Sequence, residues 1–189
     1  MCSSDKKKLE IRLAGPEDIE AISDLYIRNF REAYTGIVSQ DYLDSMNMDS
    51  TCKKWSDYIA QPRHGIFVVM EIPEDGGPEK LGGIVGFKPY QRIENCIYVY
   101  SLYIEKHLRG QGIGTALVKK IAEVGWAEGY PRMGVCFVDA NDNARRLYAK
   151  LGAEHCMYIE DGFAGDPVKS EVMLWDLLNG PMSKNNCLK

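Results

Sequence analysis

The stretch HLRGQGIGTAL, residues 107–117, places three glycines at alternate positions directly before a segment with the apolar spacing of a helix. Glycine lowers helix propensity and costs conformational entropy, so this cluster indicates a task for the backbone itself. The first amides of a helix lack internal partners and lie at the positive end of its dipole, where anions bind. Residues 109–115 therefore predict a phosphate-binding loop, with Arg109 as an added cation.

Two common phosphate-binding motifs do not match this loop. A P-loop requires a lysine after its last glycine, whereas Thr115 and Ala116 follow Gly114. The dinucleotide pattern GxGxxG fails whether it is counted from Gly110 or from Gly112. The remaining alternative to phosphate binding is packing, in which the missing side chains let a helix approach a strand closely.

Composition indicates one globular domain that needs no metal. The chain has 189 residues, 45% of them hydrophobic, which is enough for one domain over 9–178 with flexible ends at 1–8 and 179–189. The net charge of -4 argues against nucleic acid as a partner. The absence of a membrane-length apolar run or a secretory signal predicts a cytoplasmic protein without a membrane partner. Six scattered cysteines without a CxxC pair give no support for a metal site.

The order of elements predicts a mixed α/β (α+β) fold. A strand at 9–14 precedes a helix that begins at Pro16, and two short helices follow with Ser39 and Asp49 as caps. The remaining pattern predicts a hairpin at 65–87, strands at 96–104, 132–138, 153–159 and 170–177, and helices at 113–128 and 141–152. We expect a largely antiparallel sheet of about seven strands with two right-handed crossovers, and an exposed final strand that a partner could extend.

Two motifs together carry a resemblance to a known family. RGQGIG at 109–114 resembles motif A of the GNAT superfamily of N-acetyltransferases, Arg/Gln-x-x-Gly-x-Gly/Ala. NDNARRLYAKLG at 141–152 resembles the second motif, Asn-x-x-Ala-x-x-Leu-Tyr-x-x-x-Gly. Both occur in the family's order, and the match in element order extends from about residue 11 to 176. The resemblance implies the GNAT fold, with the sheet splayed around a cleft for acetyl-CoA.

The resemblance also implies which residues bind the cofactor. The backbone of the strand before motif A would pair with the pantetheine arm of CoA, through Leu102, Tyr103 and Ile104, and an N–H group near Leu102 could polarise the thioester carbonyl. The pyrophosphate would be held by backbone amides of Arg109, Gly110, Gln111, Gly112, Ile113, Gly114 and Thr115. In the second motif, small Ala144 would leave room for the cofactor. Asn141 can cap its helix and would also contact the CoA arm.

The same comparison implies the catalytic and acceptor-binding residues. Tyr148 would protonate the leaving thiolate, the alternative being a tyrosine half-buried in an amphipathic helix. Many family members have a glutamate in the middle of the strand before motif A, where this sequence has Tyr98 and Tyr100. The nearest carboxylate, Glu94, is a candidate general base through water or a solvated charge at the strand's start. With Tyr34, the two strand tyrosines are the candidates for binding the acceptor.

The function that the resemblance implies is acetyl transfer from acetyl-CoA to a primary amine, by direct attack on the thioester. A small-molecule amine is the expected acceptor. Three alternatives stay open: a protein or peptide N-acetyltransferase, an acyl-CoA-binding regulatory module without turnover, and an enzyme that uses the glycine loop for a nucleotide phosphate. The resemblance also allows a homodimer.

Overall fold

A single seven-stranded sheet with helices on both faces forms the protein. The computed structural model describes residues 7–163, 166–180 and 182. The strands are β1 (Lys7–Leu13), β2 (Gly65–Pro73), β3 (Lys80–Pro89), β4 (Cys96–Ile104), β5 (Arg132–Val138), β6 (Glu154–Phe163) and β7 (Asp166–Asp176). The α-helices are α1 (Ile19–Tyr34), α2 (Gln40–Ser45), α3 (Met48–Ile59), α4 (Ile113–Ala127) and α5 (Asp142–Lys150).

The strand order is β1-β2-β3-β4-β5-β7-β6, and β4 with β5 is the parallel pair among the paired strands described. This arrangement confirms the mixed sheet, with α4 and α5 as the two crossovers. The expectation of an exposed final strand is wrong, because β7 lies between β5 and β6. Val172, Met173 and Trp175 of β7 are at most 5% exposed, and burying them on both faces requires an interior position.

Two cores lie on opposite faces of the sheet. One contains α1 and α3, and the other contains α4 and α5. Strand β2 shows the division, since Ile66 and Val68 face the first core while Phe67 and Val69 face the second. Successive side chains of a strand point to opposite faces, so a continuous apolar run is the pattern of a strand that is covered on both sides.

Some boundaries differ from the sequence predictions. Asn47 caps α3, since its Oδ1 accepts a hydrogen bond of 3.0 Å from the Ser50 amide, and the prediction of Asp49 as the cap is wrong. A cap residue needs extended backbone, which Asn47 has and a residue inside the helix lacks. Strand β1 begins at Lys7, inside the predicted flexible segment 1–8. Residues 1–6, 181 and 183–189 of the predicted ends lie outside the described residues.

Candidate active site

The glycine loop has the backbone conformation that its sequence predicts. Gly110 and Gly112 have φ values of +78° and +82°, in the left-handed region that favours glycine. A Cβ atom built on either would meet no atom within 4 Å, so the conformation and not crowding requires glycine there. The first hydrogen bond of α4 runs from the Ala116 amide to the Gly112 carbonyl, 3.0 Å. The amides of Ile113 and Gly114 thus precede the helical ladder at the positive end of α4.

Arg109 is turned away from this loop and toward α1. Its Nε donates to the Ile104 carbonyl at 2.8 Å, and its two terminal nitrogens donate to Asn29 Oδ1 and to the Glu32 carboxylate, both at 3.0 Å. Arg109 holds the pKa of Glu32 below its usual range. The guanidinium that the sequence predicts as an added cation for phosphate is thus bonded to Glu32 and Asn29, and it ties the loop to the first helix. Gln111 is likewise used locally, donating to the His107 carbonyl at 2.9 Å.

The sheet opens between β4 and β5 toward the carboxyl end of β4, which is the end that leads to the glycine loop and α4. The pairing of the two strands runs from Cys96 to Val99, and beyond Val99 no further pair is found in the described register. On the other side of β4, Ser101 and Leu102 together face the single residue Val85 of β3, which makes a β-bulge, and Ser101 has a φ of +51°. The bulge and the end of the β4–β5 pairing thus fall in the same stretch of β4, which includes Leu102.

The bulge changes which side chains of β4 share a face. In a regular strand, Tyr103 would point away from Tyr98 and Tyr100, because it lies three positions after Tyr100 and alternate residues point to opposite faces. The extra residue returns Tyr103 to the face of α1 and α3, while Leu102 and Ile104 pack in the opposite core. The hydroxyls of Tyr103 and Tyr34 of α1 are hydrogen-bonded to each other. Of the predicted acceptor residues, Tyr34 and Tyr100 pack with Tyr103 in the core of α1 and α3, and the Tyr98 ring lies 6.1 Å from the Tyr100 ring.

Tyr148 reaches the same cleft from the opposite face of the sheet. Its ring is 5.5 Å from that of Phe137 and 5.7 Å from that of Trp175, and the residue is 5% exposed. Burial raises the pKa of the Tyr148 phenol, and the nearby Tyr34 phenol adds to the rise. Burial raises the pKa of the Tyr98 phenol as well, and the Tyr148 phenol adds to the rise. Tyr148 is therefore a protonated phenol that lies near Tyr34 and Tyr98.

The second predicted motif frames Tyr148. Asn141 caps α5 as predicted, since its Oδ1 accepts a hydrogen bond of 3.0 Å from the Ala144 amide. Ala144 and Leu147 pack against the core under α4. A Cβ atom on Gly114 would lie 3.4 Å from Leu147, so this glycine sits at the contact between the glycine loop and α5. Thr115 is half-buried on the next position of α4.

Glu94 lies away from the cleft. It is exposed in the turn before β4, at the end where β4 and β5 are paired. At the rise of a strand, about 10 Å separates Cys96, where β4 begins, from Val99, where the opening begins, and Glu94 lies in the turn before Cys96. The prediction of Glu94 as a catalytic residue is therefore not retained. The sequence did not reveal this position, because it does not show at which end β4 and β5 diverge.

Two lysines that the sequence analysis did not select lie against the acceptor tyrosines. The Lys54 Nζ of α3 is 4.0 Å from the centre of the Tyr26 ring, 4.9 Å from that of Trp55 and 5.6 Å from that of Tyr100. The Lys88 Nζ of β3 is 4.7 Å from the same Tyr100 ring. Burial lowers the pKa of Lys54 to about 8.

Neither a metal centre nor a spanning helix is found in the part of the chain that the structure describes. No three His, Cys, Asp or Glu side chains among residues 7–163, 166–180 and 182 are grouped so that they could hold a metal ion. Within those same residues, no helix combines the length and the apolar character needed to cross a membrane.

Comparison with solved structures shows the same fold. The N-acetyltransferase PaiA of Thermoplasma acidophilum, crystallised in complex with coenzyme A, superimposes with a TM-score of 0.63. The alignment covers 86% of this chain and 98% of that one, at 18% sequence identity.

Curated relatives match over shorter lengths. The uncharacterized N-acetyltransferase YuaI of Bacillus subtilis is 30% identical over 136 residues, which is 69% of this chain and 72% of that protein. The thialysine N-epsilon-acetyltransferase of Mus musculus is 34% identical over 92 residues, or 46% of this chain. The chain spans only about half of that mouse enzyme, 54% of its length.

The sequence was also compared with models of known protein families. The model described as the acetyltransferase (GNAT) family matches residues 19–153, from the start of α1 to the residue before β6. That range includes the glycine loop, the opening between β4 and β5, and Tyr148. The chain therefore belongs to the acetyltransferase (GNAT) family.

Proposed function

We propose that the protein transfers the acetyl group of acetyl-CoA to the primary amine of a small molecule. The observation that carries this proposal is the cleft between β4 and β5, which has helix amides at one end and a buried phenol, Tyr148, among the acceptor tyrosines. Family membership supports the reaction class. A neighbour that binds coenzyme A and a relative named for thialysine support the donor and an amine of small size.

The glycine loop fits the pyrophosphate of CoA. Gly110 and Gly112 turn the backbone through left-handed conformations without any side chain on the open side. The amides of Ile113, Gly114 and Thr115 are the groups that would donate to phosphate oxygens, in the way that helix N-termini bind anions. The bulged backbone at Leu102 would bind the rest of the CoA arm by strand-like hydrogen bonds.

The chemistry needs one proton donor and one route for a proton to leave. Acetyl-CoA supplies an acetyl group activated as a thioester. The amine must lose a proton to attack the carbonyl carbon, and an alkylammonium has a pKa of about 10.4 in water. The ammonium proton would leave to water before attack. As the C–N bond forms and the C–S bond breaks, the Tyr148 phenol would donate its proton to the departing sulfur, and the proton that the attacking nitrogen then loses would return through water to the Tyr148 phenolate. The leaving group thus departs as a neutral thiol.

Direct binding tests this function. Titration of the protein with acetyl-CoA by calorimetry is expected to show micromolar or tighter binding, with ATP and NAD failing to compete. Release of free CoA thiol in the presence of a panel of primary amines then measures transfer. Absence of acetyl-CoA binding would overturn the proposal. Binding without CoA release for any amine, peptide N-terminus or protein would favour the regulatory module, an alternative that the absence of a glutamate at Tyr98 and Tyr100 leaves open.

Arg109 offers a separate prediction, because its side chain positions the loop. We expect Arg109→Lys to weaken acetyl-CoA binding about tenfold, as much as Arg109→Met does, since lysine keeps the charge but cannot make three bonds from one planar group. Calorimetry measures both. Arg31→Lys is the matched control, because Arg31 also joins α1 to backbone carbonyls, those of Leu43 and Met46, away from the loop. Wild-type affinity in Arg109→Lys would instead assign Arg109 a charge role.

A further inference from the structure

The positive charges around Tyr100 indicate which class of acceptor the protein would prefer. Two ammonium groups, those of Lys54 and Lys88, lie within 6 Å of the centre of this one ring. Among the residues that the structure describes, no carboxylate lies within ion-pair distance of either ammonium. By contrast, the neighbouring Lys53 pairs with Asp57 at 2.6 Å.

A partly buried cation without a counter-ion is costly to maintain. Aromatic rings offset part of this cost for Lys54 through cation–π contacts with Tyr26 and Trp55. They do not replace an anion, and burial still disfavours the charged form of Lys54. Two buried carboxylates form ion pairs with other cations. Asp18 pairs with Arg12, and Glu71 pairs with Lys7 and His107. The positive charge beside Tyr100 is therefore not matched by these carboxylates.

This positive charge lies next to the proposed acceptor site. The Tyr100 ring is 6.1 Å from the Tyr98 ring, and Tyr58 stacks against it at 5.5 Å while donating to the Phe87 carbonyl at 2.9 Å. A Cβ atom on Gly86 would lie 3.1 Å from the Tyr100 carbonyl, so β3 approaches β4 closely here. Tyr100 is thus packed between Tyr58 and Tyr98, with Lys54 of α3 and Lys88 of β3 beside its ring.

We propose that Lys54 and Lys88 form a subsite for the carboxylate of an amino-acid acceptor, whose side-chain amine is the group acetylated. This inference rests on the proposed function and deepens it. Two cations would repel a polyamine, which carries only positive charges, whereas an acceptor with a carboxylate satisfies them. The same cations favour the neutral form of the attacking amine, which helps its deprotonation in a site that has Tyr98 and Tyr100 where many family members have a glutamate.

Matched acceptors test the carboxylate directly. L-lysine, L-lysinamide and cadaverine share the terminal amine, but only the first carries a carboxylate. We expect kcat/KM for L-lysine to exceed that for L-lysinamide by about tenfold and that for cadaverine by more, the size of a charge-assisted contact. Lys54→Met and Lys88→Met should each remove most of this ratio, while Lys54→Arg should keep it. Lys53→Met, an adjacent lysine that pairs with Asp57, is the control expected to leave the ratio unchanged.

The pH dependence of the same ratio gives a second readout. Lys54 is charged below its pKa of about 8 and loses its charge above it, so the preference for L-lysine over L-lysinamide should fall as pH rises past about 8. The groups that face Lys54 are the phenols of Tyr26 and Tyr100 and the indole of Trp55, and the Lys88 ammonium lies near the same Tyr100 ring. Taking the ratio removes the titration of the side-chain amine that both acceptors share. The α-amino groups of the two acceptors titrate differently, so the readout is the ratio in the wild type relative to that in Lys54→Met, and this relative value should fall as pH rises past about 8.

The outcomes separate this inference from the proposed function. Equal kcat/KM for L-lysine and L-lysinamide, in a protein that binds acetyl-CoA and acetylates amines, overturns the carboxylate subsite alone. Absence of acetyl-CoA binding overturns the proposed function. If neither acceptor is turned over, calorimetric binding of the pair to the CoA-saturated protein decides the inference: tighter binding of L-lysine, lost in Lys54→Met, supports it, and equal or no binding overturns it.

Discussion

Replacing Tyr148 by phenylalanine is expected to lower kcat about 100-fold while changing the Kd for acetyl-CoA less than about twofold. The substitution removes only the hydroxyl, so the ring contacts with Phe137 and Trp175 remain and the core keeps its packing. Without the phenol, the sulfur must leave as a thiolate or take a proton from water. Steady-state rates of CoA release at saturating amine measure kcat, and calorimetry measures acetyl-CoA binding.

A second tyrosine provides the control for Tyr148. The Tyr130 hydroxyl is buried and makes no hydrogen bond in the described part of the protein. Tyr130→Phe therefore makes the same chemical change in the strand-turn region before β5, and we expect kcat to stay within about twofold of wild type. An unchanged kcat in Tyr148→Phe would refute the role of Tyr148 as an acid. A loss of acetyl-CoA affinity in that variant would assign Tyr148 to binding instead.

Replacing Gly112 by aspartate is expected to weaken acetyl-CoA binding at least about thirtyfold. The φ of +82° disfavours any residue with a Cβ atom, at a cost of roughly 1–2 kcal/mol. The carboxylate would also face phosphate oxygens at the start of α4, and the amides there would be offered an internal acceptor. Calorimetric Kd values for acetyl-CoA in wild type and variant measure the effect.

A substitution at Gly129 separates the backbone cost from the effect of the carboxylate on phosphate binding. It follows α4 at the opposite end, with a φ of +79°, and a Cβ atom built there would meet no atom within 4 Å. Gly129→Asp thus carries a comparable backbone cost outside the loop. We expect it to lower the melting temperature by a few degrees and to leave acetyl-CoA affinity unchanged. Similar affinities for Gly112→Asp and the wild type would show that the phosphate site lies elsewhere.

The sequence predicted much of this molecule because its strongest signals are local. Glycines that require positive φ, a cap such as Asn141 and the apolar periodicity of the elements each act within a few residues. They were enough to predict the seven strands, the two crossovers and the glycine loop at the start of α4. The two spaced motifs then led to the family, and Tyr148 was predicted by its position in the second motif.

The tertiary structure decided where the side chains meet. Arg109 binds Asn29 and Glu32, which precede it by 80 and 77 residues, so no local pattern could reveal that its charge is already matched. A single extra residue in the bulge of β4 reverses the alternation that sequence reading relies on and places Tyr103 with Tyr98 and Tyr100.

The acceptor side shows the same division between local and distant effects. In the sequence, Lys54 is one of several charged residues in a polar helix. Only the packing of α1, α3 and β4 brings aromatic rings around it. Likewise, the sequence could offer Glu94 as a base because nothing local tells at which end β4 and β5 part. The sequence by itself determined the elements, the loop and the family. The tertiary structure alone decided which charges are matched and which are left for a ligand, because electrostatic partners are set by distance in space.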